Sequence, residues 1–279
     1  MVVLAILLAF FLWGLWGARQ SFMPHIAEIP INGVIMHDQA MLDMLEDIAE
    51  NDTVEAVLIS INSPGGSTAG AEGLFAALRD VAEEKPVVAT MAEAAASGGY
   101  VAAIGADHIV ARGNTATASI GVILEYPDVT EVMDKIGIEM ETVRSSPLKA
   151  EPSPFRETNP RARALEEAMI EESYQWFREL VGERRDLTEE QLDAVADGRV
   201  VTGRMALEAG LVDEIGGQKE AVAWIESQDD SLTDLPIYRY QPEDDSGALV
   251  SVISQNAAIK RVFELFSAKP SGILYSLAP

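Results

Sequence analysis

The feature that most constrains the fold of this chain is a nearly continuous apolar stretch at residues 54–62, V-E-A-V-L-I-S-I-N. Apolar side chains at almost every position are typical of a strand that is buried on both faces of a parallel sheet. A helix with Leu42, Leu45 and Ile48 on one face precedes it, and residues 68–83 predict a second helix. Further strands are predicted at residues 26–35, 86–91 and 108–112. This alternation predicts an α/β fold with a mostly parallel sheet.

The second half of the chain predicts mainly helices. Leu165 and Met169 begin an apolar stripe with helical spacing. Thr188 and Gln191 form a T-x-x-Q capping box that opens another helix, and residues 204–209 predict a shorter one. We therefore expect a helical C-terminal part after the parallel sheet.

The N-terminus differs from the rest of the chain. Residues 1–17 carry no charge and no proline, and Trp13, Trp16 and Arg19 lie where the interface of a membrane would be. A cleaved signal peptide would need a basic start and a small-residue cleavage site, and both are poor here. The pattern favours an uncleaved N-terminal transmembrane helix over residues 1–20.

The charge balance excludes one class of partner. The sequence has 45 acidic and 20 basic residues, which give a formal net charge of −25. Binding to nucleic acid needs a basic surface that neutralises phosphates, so we expect no such partner. Only six residues are lysine, and an acidic surface with few lysines suits very high salt, where repulsion between charges is screened. We favour a halophilic source, with an ordinary acidic surface as the alternative.

The residue types present restrict the chemistry of any hydrolytic site. The chain has no cysteine and three histidines, and no motif has a metal-ligand spacing, so we expect no metal and no cofactor. A serine hydroxyl needs a base near neutral pH, and a lysine withdrawn from water can serve as one. Ser119, in T-A-T-A-S-I-G-V-I, and Lys149, in S-S-P-L-K-A-E, are the first pair to test as a serine–lysine dyad.

Each of these residues also has a purely structural interpretation. Ser119 suits the cap of a turn or helix, and most lysines lie in solvent. Residues 94–106 predict a closely packed helix of small residues, in which Ser97 serves packing and is only a minor candidate nucleophile. A Ser-His-Asp triad with His108 is a further, less favoured arrangement.

The loop S-P-G-G at residues 63–66 follows the buried strand and precedes a predicted helix. Consecutive glycines there expose backbone N–H groups, which suit an oxyanion hole for a tetrahedral intermediate. The same amides suit a phosphate or a thioester carbonyl. The loop by itself therefore predicts a site for an anion or a carbonyl group.

Five motifs in a fixed order give the chain a resemblance to a known family. They are I-N-S-P-G-G (61–66), A-S-G-G-Y (96–100), T-A-S-I-G-V-I (117–123), P-L-K followed by S-P-F-R-E, and D-G-R-V-V-T-G-R-M-A-L-E-A-G-L-V-D-E-I-G (197–216). Over residues 26–225 the chain resembles the short form of signal peptide peptidase A, a family of membrane-anchored serine endopeptidases. The resemblance implies a Clp protease/crotonase-like fold.

The resemblance also implies roles for individual residues. Ser119 matches the nucleophile of the family and Lys149 its general base. Ser145 lies where the family places a serine that orients the lysine, with Ser146 equally near. Gly65 and Gly66 match the oxyanion loop of the superfamily.

The resemblance also implies an oligomeric assembly, and the sequence departs from the family pattern at two positions. In this family the serine and lysine can come from adjacent subunits, so the resemblance implies a homo-oligomeric ring with a shared dyad. The usual aromatic-lysine-aspartate/serine is here Leu148-Lys149-Ala150, which weakens the lysine assignment. Ala118 replaces the glycine that often precedes the nucleophile, with little expected consequence.

The resulting prediction is a membrane-anchored serine endopeptidase that cleaves apolar peptides such as signal-peptide remnants. Its domains would be an anchor at residues 1–20, a protease domain at 21–228, and an acidic linker with a C-terminal helix or tail at 229–279. It would lie in the cell membrane as a single-pass protein with an extracytoplasmic catalytic domain, touching lipid through the anchor. The alternatives are a membrane protease of the type that partners stomatin, a crotonase-type acyl-CoA enzyme, and an inactive ring scaffold.

Overall fold

A computed structural model describes residues 23–242, and in this part of the chain eight strands form one sheet flanked by helices. The strands are β1 (His25–Ile35), β2 (Val54–Gly66), β3 (Val87–Ala96), β4 (His108–Ala111), β5 (Ala116–Ala118), β6 (Val200–Thr202), β7 (Glu214–Ile215) and β8 (Ile237–Arg239). The helices are α1 (Gln39–Glu50), α2 (Thr68–Glu84), α3 (Gly98–Ala103), α4 (Thr130–Ile136), α5 (Pro160–Arg185), α6 (Glu189–Val195), α7 (Gly203–Glu208) and α8 (Gln218–Glu226).

The sheet has the strand order β6-β5-β3-β2-β1-β8, and β4 lies beside both β3 and β7. All pairs are parallel except the antiparallel pair of β5 and β6. Helices connect most of the parallel strands, as parallel pairing requires. The predicted α/β fold with a mostly parallel sheet is confirmed.

Strand β2 shows why residues 54–62 are apolar at nearly every position. Val57 and Ile59 belong to the larger buried cluster, together with apolar residues of α1 and α2. Ala56 and Leu58 belong to a second buried cluster on the other face, which α8 covers with Ala221 and Ile225. Adjacent side chains of a strand point to opposite faces, so burial of both faces requires apolar residues throughout.

Strand β2 also runs past its predicted end, through S-P-G-G to Gly66. Its register with β1 shifts between Asn32 and Val34, after which Val34 pairs with Gly65 and Ile35 pairs with Gly66. A Cβ at Gly66 would lie 1.7 Å from the carbonyl oxygen of Ile35. The glycines therefore permit close contact between two strands, in addition to ending the apolar stretch.

The helix predicted over residues 94–106 is wrong in its first part. Ala94–Ala96 pair with Ala116–Ala118 as the last residues of β3, and α3 begins only at Gly98. Alanine favours helices, but pairing with β5 overrides that preference here. The strand-to-helix junction consequently falls on Ser97.

The predicted helices between residues 160 and 209 are confirmed, including the capping box, and the short strands β6 and β7 lie among the helices of this part of the chain. Gln191 N–H donates to Thr188 Oγ1, and Thr188 N–H donates to Gln191 Oε1. In α5, Phe177 is buried in the core, whereas Leu165 and Met169 of the predicted stripe are exposed. The stripe therefore does not face the core along its whole length.

The linker predicted to begin at residue 229 is wrong for residues 230–239. Asp230–Leu232 form a 3-10 turn, and β8 pairs in parallel with β1 at the edge of the sheet. The pairing is supported by His25, whose Nε2 lies 2.7 Å from Tyr240 Oη. Three-residue strands are too short to show a period, which is why composition alone indicated a loop.

The predicted transmembrane anchor at residues 1–20 and the predicted helix at residues 248–266 lie outside the described residues. Between residues 23 and 242, no helix is both long and apolar enough to cross a membrane. The anchor and its orientation therefore stay predictions.

Candidate active site

A cavity of about 700 Å³ opens where β2, β3 and β5 end. Gly66, Ser97 and Ser119, the residues at or just after these strand ends, all line it. Carboxyl ends of parallel strands share one edge of a sheet, which brings three separate motifs together. Much of the remaining wall is apolar and includes Ala71, Val101, Ile120, Val122, Ile123, Ile170, Tyr174, Trp176 and Phe177.

Ser97 occupies the turn between β3 and α3 with φ 52° and ψ −122°. Residues other than glycine rarely adopt such angles, and those that do are concentrated at functional sites. Its N–H donates to the carbonyl oxygen of Ala118 at 2.8 Å, and its side chain makes no capping hydrogen bond to α3. A strained turn from strand to helix is the geometry that exposes a nucleophilic serine.

The glycine loop lies against this serine. A Cβ at Gly65 would be 2.9 Å from Ser97 Cβ, and Gly65 has a φ of 119°, so both space and backbone require glycine. The Gly65 N–H donates to Ser63 Oγ at 3.1 Å. The predicted oxyanion role of Gly65 is therefore not supported, because its amide already has a partner.

The amide of Gly66 is better placed. The Ser67 N–H donates to the carbonyl oxygen of Ile35 in β1 at 2.9 Å. Because successive residues of a strand direct their N–H groups to opposite sides, the N–H of the preceding residue, Gly66, points away from β1. On that side lies Gly98, where an added Cβ would be 3.2 Å from Gly66 N. Gly98 begins α3, and the first amides of a helix have no partner within it. Two backbone donors, from Gly66 and Gly98, thus lie beside Ser97.

Ser119 lines the same cavity from the next strand. Its φ is 52°, it follows Ala118 with φ 62°, and its N–H donates to the carbonyl oxygen of Arg199 at 2.9 Å. Because Ala96 pairs with Ala118, Ser119 follows β5 just as Ser97 follows β3. The glycine loop predicted to serve Ser119 therefore contacts Ser97 instead.

Lys149 and Ser145 lie elsewhere in the described chain. Both are exposed, and neither lines the cavity. The backbone N–H of Lys149 donates to the carbonyl oxygen of Ser146 at 3.2 Å in a turn. A single subunit consequently holds both candidate nucleophiles at the cavity but leaves the candidate base in solvent.

The part of the chain that carries Lys149 exposes many apolar side chains. We call residues 122–158 the lysine segment; its helix α4 has no buried residue. Its exposed large apolar side chains are Ile123, Leu124, Val132, Ile136, Ile138, Met140, Val143 and Phe155. Exposed apolar residues concentrated in this way mark a contact surface.

His108 lies away from the cavity. Its ring stacks on Trp224 with centroids 5.1 Å apart, and its Nε2 lies 3.5 Å from Glu214 Oε2. His108 thus packs against α8 and does not line the cavity that holds the two serines. Within residues 23–242 no group of three potential ligands could hold a metal ion.

Hydrogen bonds link α3 to residues 210–213 and to the end of α5. Tyr100 Oη donates to the carbonyl oxygen of Leu211 at 2.8 Å, and burial raises the pKa of the Tyr100 phenol. Arg185 binds both carboxylate oxygens of Asp213, at 2.6 and 3.1 Å. Burial would raise the pKa of Asp213, but the hydrogen bonds and charge of Arg185 outweigh it and lower that pKa.

The sequence pattern did not predict the turn at Ser97. The signal that could have indicated this turn is a serine followed by two glycines between an apolar strand and a short helix. The alanines before it concealed the signal, because they extend the helical pattern backwards by three residues.

Comparison with known proteins identifies the family. A model of peptidase family S49 matches residues 79–231, more than half of the chain. A putative protease of Synechocystis is 35% identical over 212 residues, which are 75% of this chain and 76% of that protein. A putative signal peptide peptidase SppA of Enterococcus faecium is 29% identical over 230 residues, 77% of this chain and 67% of that protein.

The fold has a counterpart among solved structures. A membrane-bound stomatin-specific protease matches with a TM-score of 0.50 at 16% identity, over 79% of this chain and 99% of that one. This likeness concerns the fold alone, and it agrees with the predicted Clp protease-like α/β fold. The predicted resemblance to signal peptide peptidase A is confirmed by the relatives. The chain belongs to peptidase family S49 and is a serine endopeptidase.

Proposed function

We propose that this endopeptidase uses Ser97 as its nucleophile and Lys149 as its general base. The observation that carries the first assignment is the strained turn at Ser97 beside the amides of Gly66 and Gly98. A nucleophile and its oxyanion donors must lie within hydrogen-bond reach of one carbonyl group. The glycine loop lies against Ser97, which supports this assignment.

Ser119 is the nucleophile that the sequence predicts, and it is the alternative here. It lines the same cavity, and it too has a positive φ of 52°. However, β5 is followed by an irregular segment and not by a helix, so no helical amide follows Ser119. The position of the two glycine amides therefore favours Ser97 over Ser119.

Lys149 needs an environment that one subunit does not provide. An ammonium group acts as a base only after losing its proton, and removal from water favours that loss. Lys149 is exposed, and the lysine segment presents apolar side chains to solvent. A neighbouring subunit covering this segment would bury both, which supports a homo-oligomeric ring with a dyad shared between subunits.

The proposed reaction proceeds through an acyl-enzyme. Neutral Lys149 accepts the Ser97 hydroxyl proton as Oγ bonds to the peptide carbonyl carbon, and the amides of Gly66 and Gly98 bind the oxyanion. The lysine ammonium then protonates the leaving amine as the C–N bond breaks. Water attacks the ester, Lys149 accepts its proton, and the Ser97 hydroxyl is restored.

The substrates are proposed to be extended apolar peptides, such as signal-peptide remnants. The apolar wall of the cavity, with Val101, Tyr174 and Phe177, supports this class. An N-terminal anchor at residues 1–20 would hold the active site near such peptides at the cell membrane, on the extracytoplasmic side. A relative named putative signal peptide peptidase agrees with this substrate class.

Peptidase assays of two serine variants test the nucleophile. We expect Ser97→Ala to lower kcat by more than about 10³-fold, because removal of a nucleophile leaves only binding and oxyanion stabilisation. Ser119→Ala should lose about tenfold or less, since its hydroxyl would only line the site. Each variant should keep its unfolding midpoint and its assembly size.

A larger loss of kcat in Ser119→Ala than in Ser97→Ala would identify Ser119 as the nucleophile. Full activity in both variants would exclude either serine of this cavity as the nucleophile. Lys149→Ala, assayed in parallel, should be as inactive as the nucleophile variant, and full activity there would remove the dyad.

A further inference from the structure

The turn that carries Lys149 has no apolar core beneath it. Among residues 141–158, the buried positions are Ser153 and the side chain of Glu151, which is only 3% exposed. Lys149 itself and its immediate neighbours are exposed or half-buried. Some other interaction must fix the direction of the lysine, because an unsupported loop samples many conformations.

An ion cluster takes the place of that core. Glu151 Oε1 accepts from Arg144 Nη1 at 2.5 Å and from Arg156 Nε at 2.9 Å. Both arginine side chains are about one-quarter exposed, so the carboxylate lies beneath them, largely withdrawn from water. Charged hydrogen bonds with low exposure are stronger than surface ion pairs, which are screened by solvent.

The same arginines bind the backbone on both sides of Lys149. Arg144 Nη1 donates to the carbonyl oxygen of Pro147 at 3.1 Å, two residues before the lysine. Arg156 Nη2 donates to the carbonyl oxygen of Ala150 at 2.9 Å, one residue after it. One carboxylate thus ties together two guanidinium groups that bracket the lysine.

The backbone between these two contacts is a tight turn. Lys149 N–H donates to Ser146 O at 3.2 Å, and Ala150 has a φ of 59°. An alanine in this left-handed region persists only where surrounding contacts hold it. The hydrogen bond from Arg156 to Ala150 is such a contact, and it acts at the residue that sets the exit direction of the chain after Lys149.

We propose that Glu151 is a positioning residue for the reaction, because it holds Arg144 and Arg156 on either side of the turn that aims the Lys149 side chain. The inference rests on the proposed role of Lys149 as general base. It adds a charged residue that does not line the cavity but on which the geometry of proton transfer depends. Small errors in the position of a general base lower the rate of the chemical step.

Replacing the carboxylate with an amide tests this role with little change in shape. In Glu151→Gln the two arginines lose the charge that offsets their repulsion, and the turn keeps only a neutral amide oxygen as its central acceptor. We expect kcat to fall by at least about tenfold with KM within about twofold, since substrate binding uses the cavity. The matched control is Glu157→Gln, which removes an exposed carboxylate of the same segment and should retain wild-type kcat and KM.

A second variant keeps the positive charge at residue 156 and removes the planar hydrogen-bonding geometry of the guanidinium. Arg156→Lys retains a cation near Glu151, but a lysine cannot bind both the carboxylate and Ala150 O through a planar fork. We expect kcat to fall here as well, with KM unchanged. Subunit assembly and unfolding midpoint are measured for every variant.

The outcomes separate this inference from the proposed function. Wild-type kcat in Glu151→Gln alongside an inactive Lys149→Ala would overturn the positioning role and leave the dyad standing. A fall in kcat accompanied by loss of assembly or of unfolding midpoint would also overturn it, since the residue would then be structural. An active Lys149→Ala would remove the proposed base and this inference together.

Discussion

The two halves of the proposed dyad lie in contrasting parts of the molecule. Ser97 follows a buried strand, its neighbours Gly65 and Gly98 tolerate no side chain without close contacts, and its backbone is fixed by hydrogen bonding to Ala118. Lys149 lies in a segment whose helix has no buried residue and whose apolar side chains face solvent. The serine side is completed by the fold of one chain, whereas the lysine side has only its own ion cluster.

This contrast indicates how activity could be restricted to the assembled enzyme. A lysine in water keeps its proton, so an isolated subunit would hold a strained serine without a functional base. Covering the lysine segment with a second copy would bury apolar surface and withdraw the lysine from water in the same step. The difference between the halves can be tested by damaging each one separately.

The largest effect is expected from Gly66→Ala, on the serine side. The added Cβ would lie 1.7 Å from Ile35 O and 2.5 Å from its carbonyl carbon, and neither backbone can move without separating β1 from β2. We expect a loss of more than about 4 kcal/mol of unfolding free energy, or no folded protein. Denaturant unfolding measures this directly.

The matched control is Gly33→Ala on the same strand pair. Gly33 has a φ of 72° but no heavy atom within 4 Å of an added Cβ, so only backbone strain of about 1 kcal/mol is expected. Equal stability of the two variants would show that the serine side is less rigid than its contacts indicate.

The next effect concerns the lysine side. Ile136→Glu and Val143→Glu place charges on exposed apolar positions, so each subunit should unfold within about 0.5 kcal/mol of wild type. Assembly should nevertheless weaken, and kcat/KM should fall by at least about tenfold, because a charge resists burial in an interface. Analytical ultracentrifugation and peptidase assays measure the two quantities.

Met205→Glu is the control for that experiment. Met205 is also an exposed apolar residue, but it belongs to α7, outside the lysine segment. Assembly and activity should be unchanged. Loss of assembly in this control, with none in the segment variants, would place the contact surface elsewhere.

A smaller effect is expected from Asp213→Asn, which weakens the support under α3. The variant loses the charged hydrogen bonds to Arg185, and unfolding free energy at pH 7 should fall by about 2 kcal/mol. Since the pKa of Asp213 is lowered by folding, its stabilisation is present above the unfolded value of about 3.9. It is lost as pH falls through the lower folded value.

Unfolding experiments on wild type and Asp213→Asn across acidic pH check this sign. The difference between the two proteins should be constant near neutral pH and should shrink at the acid end. A difference that grows as pH falls would mean that Asp213 is stabilised in its protonated form.

The sheet could be predicted from sequence because burial on both faces leaves a direct signal. Residues 54–62 are mostly apolar since β2 lies between two covered faces. Strand β8 left no such signal, because Ile237–Arg239 is short and its position depends on pairing with β1. The pattern of apolar residues in a segment predicts a strand when burial of that segment determines its composition. A short edge strand forms because of its pairing with a distant strand, so its own composition does not reveal it.

The site was partly predictable for the same reason. The S-P-G-G loop and Ser119 follow predicted strands, so their meeting at one edge of the sheet follows from parallel pairing. The S-G-G motif lies inside a predicted helix, so its place at that edge does not follow from the pattern. Which serine the glycines contact depends on the register of β3 with β5, which the alanines at 94–96 conceal. The environment of Lys149 depends on surfaces beyond one subunit, which no local pattern records.

The most direct test of the account mixes two inactive variants. Ser97→Ala supplies intact lysines and Lys149→Ala supplies intact serines, and subunits would be exchanged by dissociation and reassembly at equal amounts. If each site combines a serine and a lysine from adjacent copies, random mixing should restore about a quarter of wild-type activity. No restored activity, with mixed assemblies verified by native mass spectrometry, would contradict a dyad completed by a second subunit.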